Sequence, residues 1–222
     1  MPYGKKTPGS RRALREAKKR NRNNSFNSKE IRRRYLIACE GTETEPNYFN
    51  ELKSKLPKEI VVMAKGDGRN TLGLIKWAEK EKRSFEESIG EQIDEVWIVM
   101  DRDSFKAHHF DNAIRSAEAK GFKLAWSNEC IELCVLLHFK GINHAMSRKE
   151  IYKELSDIFG SNYEKDGKSE KLYSLIRKYD GCENDAIDRA KKLWNNKNYI
   201  PSEANPATGV FDLVETLNKY IK

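Results

Sequence analysis

RYLIACEG (residues 34–41) and VWIVMDRD (96–103) decide the reading of this chain. Each is an apolar run of strand length that ends in an acidic residue and a turn, the pattern of a buried strand feeding a loop. Between them, Thr44, Glu45 and Pro46 mark a helix start, with Tyr48, Phe49, Leu52 and Leu56 following at helical spacing and Pro57 as the stop. Ile60–Met63 reads as a second strand, and a helix opens at Thr71. Val96–Met100 is the most β-prone run in the chain. A helix over about 111–119 and a fourth strand over 122–126 follow. Strand and helix alternate across short loops, which predicts an α/β unit with a mainly parallel sheet. Beyond Asn128 the pattern turns helical, with helices expected over 129–139, 147–159, 170–178, 183–194 and 208–221. The SNYEKDGKS stretch (161–169) reads as a mobile loop. The expected organisation is therefore a basic arm (1–33), an α/β core (34–140) and a helical C-terminal extension packed on that core (141–222).

At 222 residues the chain suits one domain with accessories. No apolar run approaches the length of a bilayer span, and the basic opening residues have no apolar stretch behind them, so neither a membrane segment nor a secretory signal is expected. Four irregularly spaced cysteines read as reduced thiols. These features predict a soluble cytoplasmic protein.

Charge is unevenly placed. Residues 1–34 hold thirteen Lys or Arg against Glu16 and Glu30, a net of +11, while the whole chain is +8, so residues 35–222 sum to −3. An arm of this kind binds a polyphosphate by releasing counterions and needs no fixed fold to do so. Arg11, Arg12, Lys18, Lys19, Arg20, Arg22, Arg32, Arg33 and Arg34 are the expected nucleic-acid contacts, with Lys65 and Arg69 flanking a glycine turn after the second strand. A partner protein with an acidic face is the competing reading.

The acids carry the chemistry. In an open α/β sheet, ligands bind beyond the carboxyl ends of the strands, where Glu40, Asp101 and Asp103 fall. D-x-D spacing on an extended chain turns both carboxylates to one side, and neighbouring strands bring Glu40 beside them. Clustered carboxylates repel one another unless a cation neutralises them, and hard oxygen ligands suit Mg²⁺ or Mn²⁺. Each acid taken singly reads equally well as a solvated strand end.

The strings RYLIACEG and VWIVMDRD resemble the Toprim domain, with its glutamate after one strand and D-x-D after another. CEGTETEPNYF (39–49), VMDRDSF (99–105), WSNECIELCVLLHF (126–139) and NPATGVFDLVETL (205–217) more closely resemble the RloB family of anti-phage defence and restriction loci. That resemblance, covering residue 30 onward, implies a Toprim-like sheet and Mg²⁺-dependent nuclease activity. It also implies an ATPase partner of the RloA or OLD type. It assigns Glu40 as general acid or base and metal-site residue, Asp101 and Asp103 as metal ligands, and Glu132 as a fourth catalytic carboxylate that could complete a second metal site. Glu45 ranks below Glu132, since it reads equally as a helix-start acid. RNA, with tRNA in view, is favoured over DNA as substrate, and homo-oligomerisation is open. The alternative is a non-cleaving subunit that docks nucleic acid or the ATPase.

Other residues read more plainly. Arg102 must point away from the two aspartates if both face a metal. Cys130, Cys134 and His138 recur every four residues, but the apolar residues among them favour a buried helix over a metal site, with His138 a loose second partner for Glu132. The C-terminal basic and aromatic residues read as ordinary amphipathic helices ahead of RNA contacts.

Overall fold

Period-two alternation in the central strands sorts the core into two layers. In β1 (Arg33–Cys39), Tyr35, Ile37 and Cys39 face one side of the sheet, and Leu36 and Ala38 face the other. In β3 (Glu95–Asp101), Trp97 and Val99 oppose Val96, Ile98 and Met100 in the same way. Strands buried on both faces read as continuous apolar runs, as parallel strands covered by helices do. The computed structural model describes residues 32–66, 71–103, 105–167, 171–197 and 200–221.

Five strands form one sheet in the order β2-β1-β3-β4-β5, with β2 (Ile60–Gly66), β4 (Lys123–Asn128) and β5 (Ala207–Thr208) completing it. The first four strands run parallel, and β5 pairs antiparallel to β4. The α/β, mainly parallel class expected from the sequence is the observed one. Helix α1 (Thr44–Lys53) packs on the Tyr35–Cys39 side with the C-terminal helices, while α2 (Thr71–Ile89) and α3 (Ala107–Ala119) cover the opposite face. After β1 the chain goes to one neighbour, β2, and then crosses to the other, β3. A crevice forms at such a reversal, at the carboxyl ends of the strands.

The C-terminal half comprises α4 (Glu132–Leu137), α5 (Arg148–Phe159), a π-helical turn (Tyr163–Gly167), α6 (Leu172–Lys178), α7 (Glu183–Asn196), a 3₁₀ turn (Pro201–Glu203) and α8 (Val210–Asn218). Two expectations need correction. The segment expected to begin a helix at Thr208 instead adds β5 to the sheet, where the Ser127 and Thr208 hydroxyls bond at 2.8 Å. The 161–169 stretch is not a loose loop over its described part, because Tyr163 is fully buried. Its ring packs 5.4 Å from Tyr152 and 6.0 Å from Phe159. The alternating apolar signal is too short at 161–167 to show this single anchor against its charged neighbours.

Removing that anchor by Tyr163→Ala is expected to cost about 3–5 kcal/mol, the range for a buried aromatic. The Tyr163 hydroxyl is buried with no partner among the described residues, so Tyr163→Phe is expected to be neutral or stabilising by about 1 kcal/mol. Chemical denaturation of the two variants checks both values.

Candidate functional site

Register fixes the first two acids. Cys39 pairs with Val99 across the parallel β1–β3 ladder, and the Glu40 amide donates to the Val99 carbonyl at 3.0 Å. Asp101 thereby lies beside Glu40, and its amide donates to Glu40 Oε2 at 3.1 Å. Asp101 Oδ1 accepts from the Ile131 amide at 2.9 Å. One carboxylate is tied to each of two neighbouring strand ends by backbone donors.

Asp103 reaches the same place by a different route from the expected one. The chain leaves the strand at Asp101, and Asp103 sits in a turn with φ of 37°. Its amide donates to the Glu129 carbonyl at 3.0 Å, and the Arg102 amide donates to Ser127 at 2.8 Å. These bonds, more than strand alternation, aim the second aspartate. The side chain of Arg102 points away as expected, but it serves carbonyls: Nε donates to Ser202 at 3.3 Å and Nη1 to Asp103 and Phe105.

Glu45 and Glu132 complete the group. Glu45, in the first turn of α1, is buried, and its Oε1 accepts from the Gly41 amide at 3.1 Å. A Cβ at Gly41 would lie 2.3 Å from Glu45 Oε2, so the absence of a side chain there lets this carboxylate approach the backbone. Glu132 opens α4 and is 2% exposed. Glu40, Glu45, Asp101, Asp103 and Glu132 all line one cleft of about 480 Å³, which Thr42, Phe105, Ile131, Arg148 and Tyr152 also border.

Electrostatics follow from this crowding. Burial pushes Glu40 up to about 7; the Asp101 amide opposes the rise, Glu45 and Asp103 add to it, and Arg148 also opposes it. Burial drives Asp101 well above the usual carboxylate range, and the charges of Glu45 and Glu132 raise it further. Glu45 is likewise raised, first by burial and then by Glu132, while amide hydrogen bonds pull the other way.

Arg148 is the residue the sequence reading missed. Its Nη2 lies 3.2 Å from Asp101 Oδ2 and its Nη1 3.2 Å from Asp103 Oδ2, so one guanidinium spans both aspartates. The side chain projects from the first position of α5, where Ser147 and Glu150 form a capping box. A cation at that position opposes the helix dipole. The S-R-K-E string at 147–150 marks a helix start but not the aspartates that Arg148 meets.

Other expected residues stand apart from the cleft. Arg33 pairs with Asp94 at 3.1 Å and Arg34 with Glu91, both at the amino end of the sheet. β1 spans seven residues, about 20 Å, between those pairs and Glu40. Lys65 bonds Glu81 of α2 at 2.5 Å. These three cations pair with neighbouring acids, and none of them borders the cleft. His138 is also elsewhere: Nδ1 lies 2.9 Å from the Cys134 carbonyl, within a cavity bordered by Tyr48 and Glu183, and burial lowers its pKa. It is a core histidine, not a partner of Glu132. Cys130 and Cys134 are buried. Arg32 is exposed. Arg11, Arg12, Lys18, Lys19, Arg20, Arg22 and Arg69 lie outside the described residues.

Among the described residues no three His, Cys, Asp or Glu side chains stand as a ready metal-binding set. The donors that border the cleft are nonetheless all hard oxygens, set against one cation, Arg148. That donor chemistry fits Mg²⁺ or Mn²⁺, and would exclude a soft-ligand zinc site. Glu40, Glu43, Glu45, Asp101, Asp103 and Glu132 supply those oxygens and would be the residues to hold such an ion.

The fold and site together define an α/β protein with an acidic cleft at the carboxyl edge of a parallel sheet. The RloB-like protein family model matches residues 35–217, and the chain belongs to that family. No curated protein and no solved structure gives a significant match. Among the described residues no helix is long and apolar enough to cross a membrane.

Two predictions follow from the geometry. A Cβ at Gly66 would lie 1.9 Å from the Gly41 carbonyl oxygen, so Gly66→Ala must displace the loop that carries Glu40. It is expected to shift the amide resonances of residues 40–45 more than those of α7, as heteronuclear NMR would show. The raised carboxyls favour the protonated form in the folded protein. In chelator, stability therefore falls as pH rises from the ordinary glutamate value of 4.5 through about 7. Cation binding requires the ionised forms, so the rise in melting temperature caused by Mg²⁺ should be larger at pH 8 than at pH 6. An equal or smaller rise at pH 8 contradicts this.

Proposed function

We propose that this chain is a metal-dependent nuclease that hydrolyses phosphodiester bonds of nucleic acid with Mg²⁺ or Mn²⁺. The observation that carries the reading is the delivery of carboxylates from four separate segments to one cleft at the sheet's carboxyl edge. Those segments are the ends of β1 and β3 and the starts of α1 and α4. A fold that forces like charges together at a burial cost has a use for the cation that relieves them.

A divalent ion bound there would neutralise charge developing on the phosphate and favour ionisation of an attacking water. The chain's own residues supply the rest. Glu40, held at Oε2 by the Asp101 amide, would take a proton from the attacking water as the new phosphorus–oxygen bond forms and the bond to the leaving oxygen breaks, with solvent protonating that oxygen. Asp101 and Asp103 hold positive charge beside it. Phe105, Ile131 and Tyr152 border the cleft beside the acids.

RNA, including tRNA, is the favoured substrate, and an ATPase of the RloA or OLD type is the favoured partner in anti-phage defence. Family membership supports the defence setting, and the basic N-terminal sequence supports a nucleic-acid substrate. A second reading, a non-cleaving subunit that docks nucleic acid or the ATPase, draws on one observation: Arg148 already pairs with both aspartates.

Incubating the full chain with tRNA or supercoiled plasmid, in Mg²⁺, Mn²⁺ or chelator, separates these readings. Metal-dependent cleavage is expected, abolished in Asp101→Asn and slowed by about 10²–10⁴-fold in Glu40→Gln. Cleavage that persists in a folded Asp101→Asn variant contradicts the site assignment. No cleavage of either substrate with either metal, in the presence of the ATPase partner, favours the docking subunit.

A further inference from the structure

We propose that Arg148 occupies the seat of the divalent cation in the metal-free protein and turns to a substrate phosphate when the cation takes that seat. The inference rests on the nuclease reading and assigns this side chain a second position within it.

The first argument is competition. One guanidinium spans oxygens of two different aspartates, with a single 3.2 Å contact to each. Charge-assisted N–H···O bonds are usually shorter, about 2.7–2.9 Å, so the guanidinium is held without being tightly clamped. A divalent ion bound by Asp101 and Asp103 would place two positive groups on the same oxygens. Their repulsion at short range in a partly desolvated cleft is strong. Cation binding and guanidinium release are thereby linked.

The second argument is an unused donor. Arg148 Nε is buried with no hydrogen-bond partner among the described residues. A buried donor left without an acceptor is unfavourable, and an anionic oxygen relieves it. Position supplies the third argument. Arg148 is the first residue of the twelve-residue helix α5, where the dipole disfavours a lone cation but favours a phosphate. The Ser147–Glu150 capping box and Glu129 Oε2, which accepts from the Arg148 amide at 3.4 Å, already serve that helix end, so a phosphate there would meet the guanidinium.

The surroundings provide room for the second position. Arg148 and Tyr152 border both the acidic cleft and a neighbouring one of about 600 Å³ along α5. Lys149 and Lys153, one helical turn apart, line the second cleft, and among the described residues neither forms an ion pair. Glu129 and Glu164 line it as well, which keeps that cleft from being a general anion sink.

The test compares wild type, Arg148→Gln and Arg148→Lys as full chains, with circular dichroism as the control for folding. Mn²⁺ binding is followed by the electron paramagnetic resonance of the free ion. Binding of a fluorescent single-stranded RNA is followed by anisotropy in Ca²⁺. Arg148→Gln is expected to bind Mn²⁺ about tenfold more tightly, because the competing state is removed, and to bind the RNA more weakly. Arg148→Lys, whose single ammonium cannot span both aspartates, is expected to fall between the two. Unchanged or weaker Mn²⁺ binding in a folded Arg148→Gln variant overturns the inference while leaving the metal site standing. If Arg148→Gln does not fold, Arg148→Lys decides by the same criterion. Should neither fold, Arg148 is a structural strut and the inference is overturned. Absence of Mn²⁺ binding in wild type removes the metal reading and this inference with it.

Discussion

The β1–β3 pairing brings Glu40 and Asp101 together at the carboxyl edge of the sheet, and much of the surrounding structure answers that one repulsion. The partners are specific. The Asp101 amide serves Glu40, the Ile131 amide serves Asp101, the Gly41 amide serves Glu45, and Arg148 spans the two aspartates. Backbone donors are the least mobile source of positive potential in a protein, and three of these four partners are backbone. Only the guanidinium can leave. A cluster with fixed donors and one removable cation suits the exchange of that cation for another.

The same economy explains the two glycines beside the cluster. Gly41 and Gly66 are places where a side chain would strike, respectively, the Glu45 carboxylate and the Gly41 carbonyl. The loop after β1 therefore lies close against the end of β2, and Glu45 curls back onto the loop's own backbone. Glu45 is at once a helix-start acid and a residue bordering the cleft.

Much of this was legible in the sequence because the decisive signals are local. The apolar runs at 34–39 and 96–100, each ending in an acid, imply strands, and parallel strands imply a shared carboxyl edge. That puts Glu40 and Asp101 on one edge, and the β2-β1-β3 order of the sheet makes them neighbours. Four features were not legible. Arg148 lies 45 residues beyond Asp103 and meets it only through the packing of α5, which no periodicity encodes. β5 is two residues long, below the length at which alternation can be seen. Arg33, Arg34 and Lys65 read as free cations because their acidic partners, Asp94, Glu91 and Glu81, are distant in sequence. His138 fell to the same limit, since helical spacing placed it near Glu132 but could not show which cavity its ring enters.

The central claim is that these carboxylates exist to hold a divalent cation in exchange for the Arg148 guanidinium. A crystal structure of the full chain grown with Mn²⁺, with anomalous data collected at the manganese edge, tests it most directly. The account predicts an anomalous peak at ligating distance from Asp101 and Asp103, with the guanidinium withdrawn from both. Crystals grown in saturating Mn²⁺ with no peak in the cleft, and Arg148 still spanning the two aspartates, would contradict it.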